Sequence, residues 1–195
     1  RDELKQEQMR QNLNHTDIKF YIGDIRDRSS VDEAMTGVDY VFHAAALKQV
    51  PTCEFFPMQA TQTNVIGSQN IISSAIQNRV AKVVSLSTDK AVYPVNALGI
   101  TKALMEKMVL SASRNISGGQ TLLTLVRYGN VLFSRGSVIP LFMKQIRENK
   151  PLTLTEPEMT RFLLPLPEAI KLVAFALENG QQGDTFVRKA SSCTV

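Results

Sequence analysis

Short strands rich in β-branched residues alternate with helical segments up to Arg127, and the strands are apolar on both faces. Residues 2–13 place Leu4, Met9 and Leu13 among Glu, Lys, Gln and Arg, the pattern of a polar amphipathic helix. Residues 18–22 read as a strand ended by Gly23-Asp24. Residues 30–35 read as a short helix with Ser29 or Ser30 as N-cap, and Gly37 stops it. A strand over 38–43 runs into Ala44-Ala45-Ala46. A helix follows over 57–78, with Val65, Ile66, Ile71, Ile72, Ala75 and Ile76 on its apolar side. Residues 80–87 form a strongly apolar strand, 97–114 a helix and 121–127 a further strand. Strands buried on both faces need a helical layer on each side, which means a parallel sheet. Right-handed crossovers then predict an α/β fold, a doubly wound parallel sheet of the Rossmann type.

Beyond Arg127 the pattern loosens. A loop over 129–140 leads to a helix at 141–148, an extended stretch at 151–164, a helix at 167–179 and a strand at 184–187. The predicted division is 1–130 for a partial dinucleotide-binding domain and 131–195 for a partial substrate-binding cap. A dinucleotide fold opens on a strand and a glycine-rich turn. This chain opens on what reads as the second helix of such a fold and stops at a strand. The expectation is a chain truncated at both ends, lacking the first strand and its glycine-rich loop.

Composition narrows the function classes. Net charge is +4 over 195 residues, with Lys and Arg scattered rather than clustered. That favours acidic partners only slightly (nucleotide phosphates, nucleic acid or an anionic membrane surface), and the scatter reads first as a solvated surface with a mild surplus of Lys and Arg and weakly as a nucleic-acid interface. No apolar run is long enough to span a membrane, and the N-terminal residues show no secretory pattern. Cys53 and Cys193 are too few for a disulfide framework, and no metal-ligand spacing surrounds them. A reducing cytoplasm is the expected location.

The stretch Ser87-Thr88-Asp89-Lys90-Ala91-Val92-Tyr93-Pro94, followed by Asn96-Ala97-Leu98-Gly99-Ile100-Thr101-Lys102, is the most specific. It starts at the C-terminal end of a buried strand, where open α/β sheets place their ligands. Asp89 and Lys90 offer an acid and a base side by side, and Lys102 lies one turn into the next helix, able to reach a ribose or lower a neighbour's pKa.

These residues form part of a longer series: His43-Ala44-Ala45-Ala46-Leu47-Lys48-Gln49-Val50-Pro51, Thr63-Asn64-Val65-Ile66-Gly67, Arg127-Tyr128-Gly129-Asn130-Val131, Ser134 to Pro140 and Met159-Thr160-Arg161-Phe162. The series resembles the inverting UDP-N-acetylglucosamine 4,6-dehydratases (5-epimerising) of the extended short-chain dehydrogenase/reductases, in particular the soluble capsular-polysaccharide type. The resemblance runs over essentially the whole chain.

The resemblance implies NADP as cofactor, UDP-N-acetylglucosamine as substrate, no metal, and a homo-oligomer when full length. Asp24 and Ile25 would contact adenine. Ala44, Ala45 and Ala46 would line the cofactor, with Lys48 near the diphosphate or sugar and Asn64 on the underlying helix. Ser87, Lys102, Tyr128, Gly129, Asn130 and Val131 would hold the nicotinamide side. Arg1 would pair with the 2′-phosphate, a contact suited to a guanidinium. On the substrate side, Asn130 and Arg161 would bind the diphosphate, and Ser137, Val138 and Pro140 would pack around uridine.

Leu98 departs from the pattern. Most of the superfamily has Tyr there, and a branch of these dehydratases has Met; Leu cannot exchange a proton. Either Leu98 is a conservative replacement within the Met branch, or the chain is impaired. The implied reaction oxidises C4, after which Lys90 removes the C5 proton and Asp89 helps the C6 hydroxyl leave as water. Reduction at C6 and reprotonation of C5 on the opposite face complete it. The alternatives are a non-catalytic NADP-binding protein on the same fold, or another UDP-sugar enzyme such as a 4-epimerase, although the absence of Tyr at 98 counts against the latter.

Overall fold

The computed structural model describes residues 2–116, 120–134, 136–154 and 156–194. Helix α1 (Glu3–Leu13) starts where the Asp2 carboxylate accepts from the Lys5 N–H at 3.0 Å, and it buries no residue. Helix α2 (Arg28–Met35) is capped by Asp27, whose carboxylate accepts from Ser29 N at 3.1 Å. The cap is therefore Asp27 rather than Ser29 or Ser30: a carboxylate two residues upstream reaches the first free N–H groups.

Strand β1 (Tyr40–His43) pairs in parallel with β2 (Lys82–Thr88), β2 with β3 (Leu122–Tyr128), and β3 with β6 (Thr185–Val187). Between β1 and β2 lie α3 (Val50–Phe55), α4 (Pro57–Thr61), a π-helical turn (Gln62–Gly67) and α5 (Ser68–Gln77). Helix α6 (Ala97–Asn115) links β2 to β3. Alternate residues of β2 and β3 face opposite layers. Val83, Leu123 and Leu125 pack with Ile71, Ile72, Met105 and Val109 on one side. Val84 and Val126 pack with Val173 and Ala176 of α8 (Leu166–Asn179) on the other. Burial on both faces is what the apolar strands require, and the fold is the doubly wound α/β fold.

Two expectations are corrected. Residues 18–22 form no strand among the described residues, since a cleft lined by Tyr21, Ile25, Tyr40 and Phe42 separates this stretch from edge strand β1. Strand composition without a ladder partner leaves an extended segment. The helix expected over 57–78 runs continuously over 57–77 and carries a π-helical turn at Gln62–Gly67, whose Asn64 is drawn into contacts described below. The boundary at 130 does not separate two layers. A small sheet of β4 (Asn130–Val131), β5 (Thr160–Leu164) and β7 (Ser192–Thr194) follows it, with α7 (Val138–Arg147) alongside in sequence. Yet α8 and β6 return to cover and extend the main sheet.

Candidate active site

The C-terminal ends of β1, β2 and β3 lie side by side, at the sheet edge where doubly wound folds bind ligands. Strand β2 ends at Thr88, and Asp89–Ala91 form one 3₁₀ turn. Thr88 Oγ1 donates to Asp89 Oδ1 at 2.9 Å and accepts from Lys90 N at 3.4 Å, which fixes the turn. Lys90 Nζ lies 3.0 Å from Asp89 Oδ1 and 3.4 Å from Asn130 Oδ1. The fold thus brings Asp89, Lys90 and Asn130 together from two strand ends. Two glycines permit this approach. A Cβ on Gly99 would run into the Lys90 carbonyl, and one on Gly129 would sit 2.7 Å from Phe162 Cβ and 3.1 Å from Asp89 Oδ2. Thr88 lies in the stretch singled out from the sequence but carried no role of its own there; its signal is a hydroxyl at a strand end directly before the acid–base pair.

Lys102 is 6% exposed, and its Nζ donates to the Leu86 carbonyl at 2.5 Å and approaches Met105 Sδ at 3.1 Å. Burial lowers its pKa to about 8, with Glu106 acting in the opposite direction. In this structure the ammonium lies against the end of β2 and makes no hydrogen bond to Asp89 or Lys90. Ser87, on the same strand, has a buried Oγ with no partner. His43 is buried and hydrogen-bonded to Ser68 Oγ at 2.8 Å. Burial, with the nearby Lys102 charge, depresses its pKa to about 3, so the ring is neutral. Ser68 Oγ donates to Asn64 O at 2.7 Å, so it takes a proton from His43 Nε2.

Asn64 is fully buried. Its Oδ1 accepts from Leu47 N at 2.8 Å, and its Nδ2 donates to Leu47 O at 3.0 Å and to Thr101 Oγ1 at 3.1 Å. The cofactor-contact expectation for Asn64 is therefore corrected: every polar atom of its side chain is occupied, and it fastens the segment after β1 to α6. Leu98 is 5% exposed and packs with Cys53 and Ala60, flanked by Leu47 and Val50. It fills an apolar cluster between α6 and α3–α4. Burial, with Glu54 nearby, pushes the Cys53 thiol up, which disfavours the thiolate.

At the far end of the edge, Asp24 is gripped by Arg26, with Oδ2 2.7 Å from Nη2. Asn70 Nδ2 donates to the Ile25 carbonyl at 2.9 Å, and Ile25 lies on Gly67, where a Cβ would meet Ile25 Cδ1 at 2.7 Å. Ala44, Ala45 and Lys48 are exposed and Ala46 half-buried after β1. Tyr128 turns to the α8 side, packed against the Val84–Val126 cluster, and burial raises its pKa. Its ring faces the layer opposite α6, so the nicotinamide-side expectation is corrected for the Tyr128 side chain. Val131 pairs with Leu164 in the small sheet. Ser137 is the N-cap residue of α7 with a buried, unpartnered Oγ, and Val138 and Pro140 lie in the helix's first turn. Arg161 sits on β5, with Nη1 donating to Thr160 O and Nη2 on Met159 Sδ, and makes no hydrogen bond to Asn130. Arg1 lies outside the described residues. No group of His, Cys, Asp and Glu among the described residues could hold a metal ion, and no described helix is long and apolar enough to cross a membrane.

A profile described as polysaccharide biosynthesis protein matches residues 1–195. The chain belongs to that family. Within it, the chain is 61% identical over 195 residues to a protein of Rickettsia typhi named UDP-glucose 4-epimerase, and 62% identical to the Rickettsia felis protein of the same name. It spans all of this chain and 57% of each of those relatives. The solved structure of Pen from Bacillus thuringiensis superposes with a TM-score of 0.97 at 41% identity, over all of this chain and 62% of that one. The dTDP-glucose 4,6-dehydratase DesIV of Streptomyces venezuelae shares the fold, with a TM-score of 0.84 at 23% identity over 95% of this chain and 64% of that one. The fold of the chain is that of the short-chain dehydrogenase/reductases.

Proposed function

We propose that the chain forms the sugar- and nicotinamide-facing part of an enzyme that oxidises a UDP-hexose at C4, in the synthesis of a surface polysaccharide. The observation that carries this reading is the convergence of Lys90, Asp89 and Asn130 at the C-terminal edge of the sheet, beside buried Lys102. The residues fit a nicotinamide dinucleotide at its two ends. Asp24 and the Gly67-seated Ile25 suit an adenine, and exposed Ala44 and Ala45 with the unpartnered Ser87 hydroxyl suit a flat polar ring. No Gly-x-Gly-x-x-Gly stretch occurs in the sequence, so these residues would hold the ends and not the pyrophosphate. The resemblance to the dehydratases favours NADP, with Arg1 as the residue suited to a 2′-phosphate. When bound, the dinucleotide supplies reversible hydride exchange at a sugar carbon.

Two outcomes follow from a 4-keto sugar. Reduction on the other face of C4 gives the 4-epimer, the reading favoured by the relatives named UDP-glucose 4-epimerase. Loss of the C5 proton to Lys90, with Asp89 protonating the departing C6 hydroxyl, would give water and a 4-keto-5,6-ene; hydride return to C6 and reprotonation of C5 on the opposite face would then give the 4,6-dehydration product of UDP-N-acetylglucosamine with C5 inverted. The Asp89–Lys90 pair favours this second reading, because epimerisation moves no proton at C5 or C6. Leu98 tests whether the site is active at all. In the full-length protein, Leu98→Met is expected to keep product formation near wild type, since swaps of similar volume cost under about 1.5 kcal/mol. The measurement is conversion of UDP-glucose and UDP-N-acetylglucosamine by wild type, Leu98→Met and Leu98→Tyr. An inactive wild type with an active Leu98→Tyr protein would instead support a non-catalytic dinucleotide-binding protein.

A further inference from the structure

Helix α6 carries a second buried charge one turn past Lys102. Glu106 is 3% exposed and takes no part in the Thr88–Lys90 cluster. Lysine and glutamate four residues apart on a helix are within reach of each other. Here they do not pair. Both Glu106 oxygens are held by Arg127 from β3, Nε to Oε1 at 2.8 Å and Nη2 to Oε2 at 2.5 Å. Lys102 Nζ turns instead to the Leu86 carbonyl, near the end of the strand that carries Thr88. Arg127 is the one charged residue within apolar β3, and its register partner on β2 is Ser87.

We propose that Arg127 and Glu106 form a positioning pair for Lys102, in which Arg127 holds the carboxylate off the ammonium and the fixed carboxylate supplies a compensating charge one turn behind it. The pair rests on the reading of Lys102 as a site residue. A forked guanidinium saturates both carboxylate oxygens, which a lysine could not do. Burial lowers the Lys102 pKa and Glu106 raises it, so the place where Arg127 holds the carboxylate bears on where Lys102 titrates. The other charged groups on elements packed against α6 are Glu54 of α3, which accepts from Ala97 N, Asp89 and Lys90 of the 3₁₀ turn, and Lys82 at the opposite end of β2, bonded to the last carbonyls of α8. The π-helical turn, α4 and α5 carry none. His43 of β1 feels the Lys102 charge but is neutral.

The two members of the pair act on Lys102 with opposite sign, which a purely structural contact would not do. The experiment is a ¹³C NMR titration of the full-length protein labelled at lysine Cε, with the Lys102 signal assigned by its loss in Lys102→Met. Wild type is expected to titrate near about 8. Glu106→Gln is expected to move the midpoint down by roughly one pH unit. Arg127→Met frees Glu106 to pair with Lys102 and is expected to move it up. If Glu106→Gln does not fold, Arg127→Lys decides, since its single point contact leaves one carboxylate oxygen free and is expected to raise the midpoint part of the way. Unmoved midpoints in the variants that fold would overturn the proposal, as would shifts of the same sign from both partners. Opposite shifts in a protein that turns over no UDP-hexose would retain the pair and discard the proposed function. Unmoved midpoints in an active enzyme would do the reverse.

Discussion

Lys90→Ala in the full-length protein is expected to lose about 10²–10⁴-fold in turnover of a UDP-hexose, the usual cost of removing a positioned proton-transfer group. Dinucleotide affinity is expected to stay close to wild type. Lys90 Nζ reaches Asp89 and Asn130 and none of the residues assigned to adenine, so its loss leaves the adenine end of the dinucleotide untouched. Under the dehydration reading, incubation in D₂O with the wild-type enzyme puts deuterium at C5, and the variant loses that exchange. Wild-type exchange in Lys90→Ala would remove Lys90 from the base role. Exchange absent from an active wild type would leave 4-epimerisation as the reaction.

Asn64→Leu carries the other large effect, on stability. The substitution leaves the Leu47 N–H unpaired, leaves its carbonyl only the weak Cys53 thiol donor at 3.6 Å, and removes a partner of Thr101 Oγ1. A buried polar group left without a partner costs about 1–3 kcal/mol, so the expected loss is about 2–4 kcal/mol. Urea unfolding of wild type and variant measures it. A loss below about 1 kcal/mol, within the range of ordinary surface substitutions, would show that Asn64 does not fasten the segment after β1 to α6.

The elements that bury apolar faces were legible because their pattern is local. The run Val80 to Ser87 states its own double-sided burial, and α6 declares its start through Asn96, whose side chain accepts from Gly99 N at 2.9 Å. What was not legible depends on partners distant in sequence. The π-helical turn has no composition of its own; Asn64 is drawn in by Leu47 and Thr101, 17 and 37 residues away. Residues 18–22 have a strand's composition, but a strand is completed only by a neighbour. The small sheet escaped notice because β4 is two residues long and β7 pairs antiparallel with β5 from the end of the chain.

At the candidate site, the acid–base pair and Asn130 could be picked out as single residues, and the fold supplied their meeting. Arg161 and Ser137 were picked out the same way, yet hydrogen bonds tie neither to that cluster. Glu106 and Arg127 left a readable trace that was not used. An arginine inside an apolar strand and a glutamate on the buried side of a helix each cost too much to stand alone, so each calls for the other.

The central claim is that this site oxidises a UDP-hexose at C4, and isotopic labelling tests it most directly. UDP-glucose and UDP-N-acetylglucosamine carrying deuterium at C4 are incubated with the full-length enzyme and its dinucleotide. The account predicts slower turnover than with protium. It also predicts that the label survives in the product, at C4 of an epimer or at C6 of a 4-keto-6-deoxy sugar. Recovery of both nucleotides unchanged, or turnover with no isotope effect and the label undisturbed in its original configuration, would contradict it.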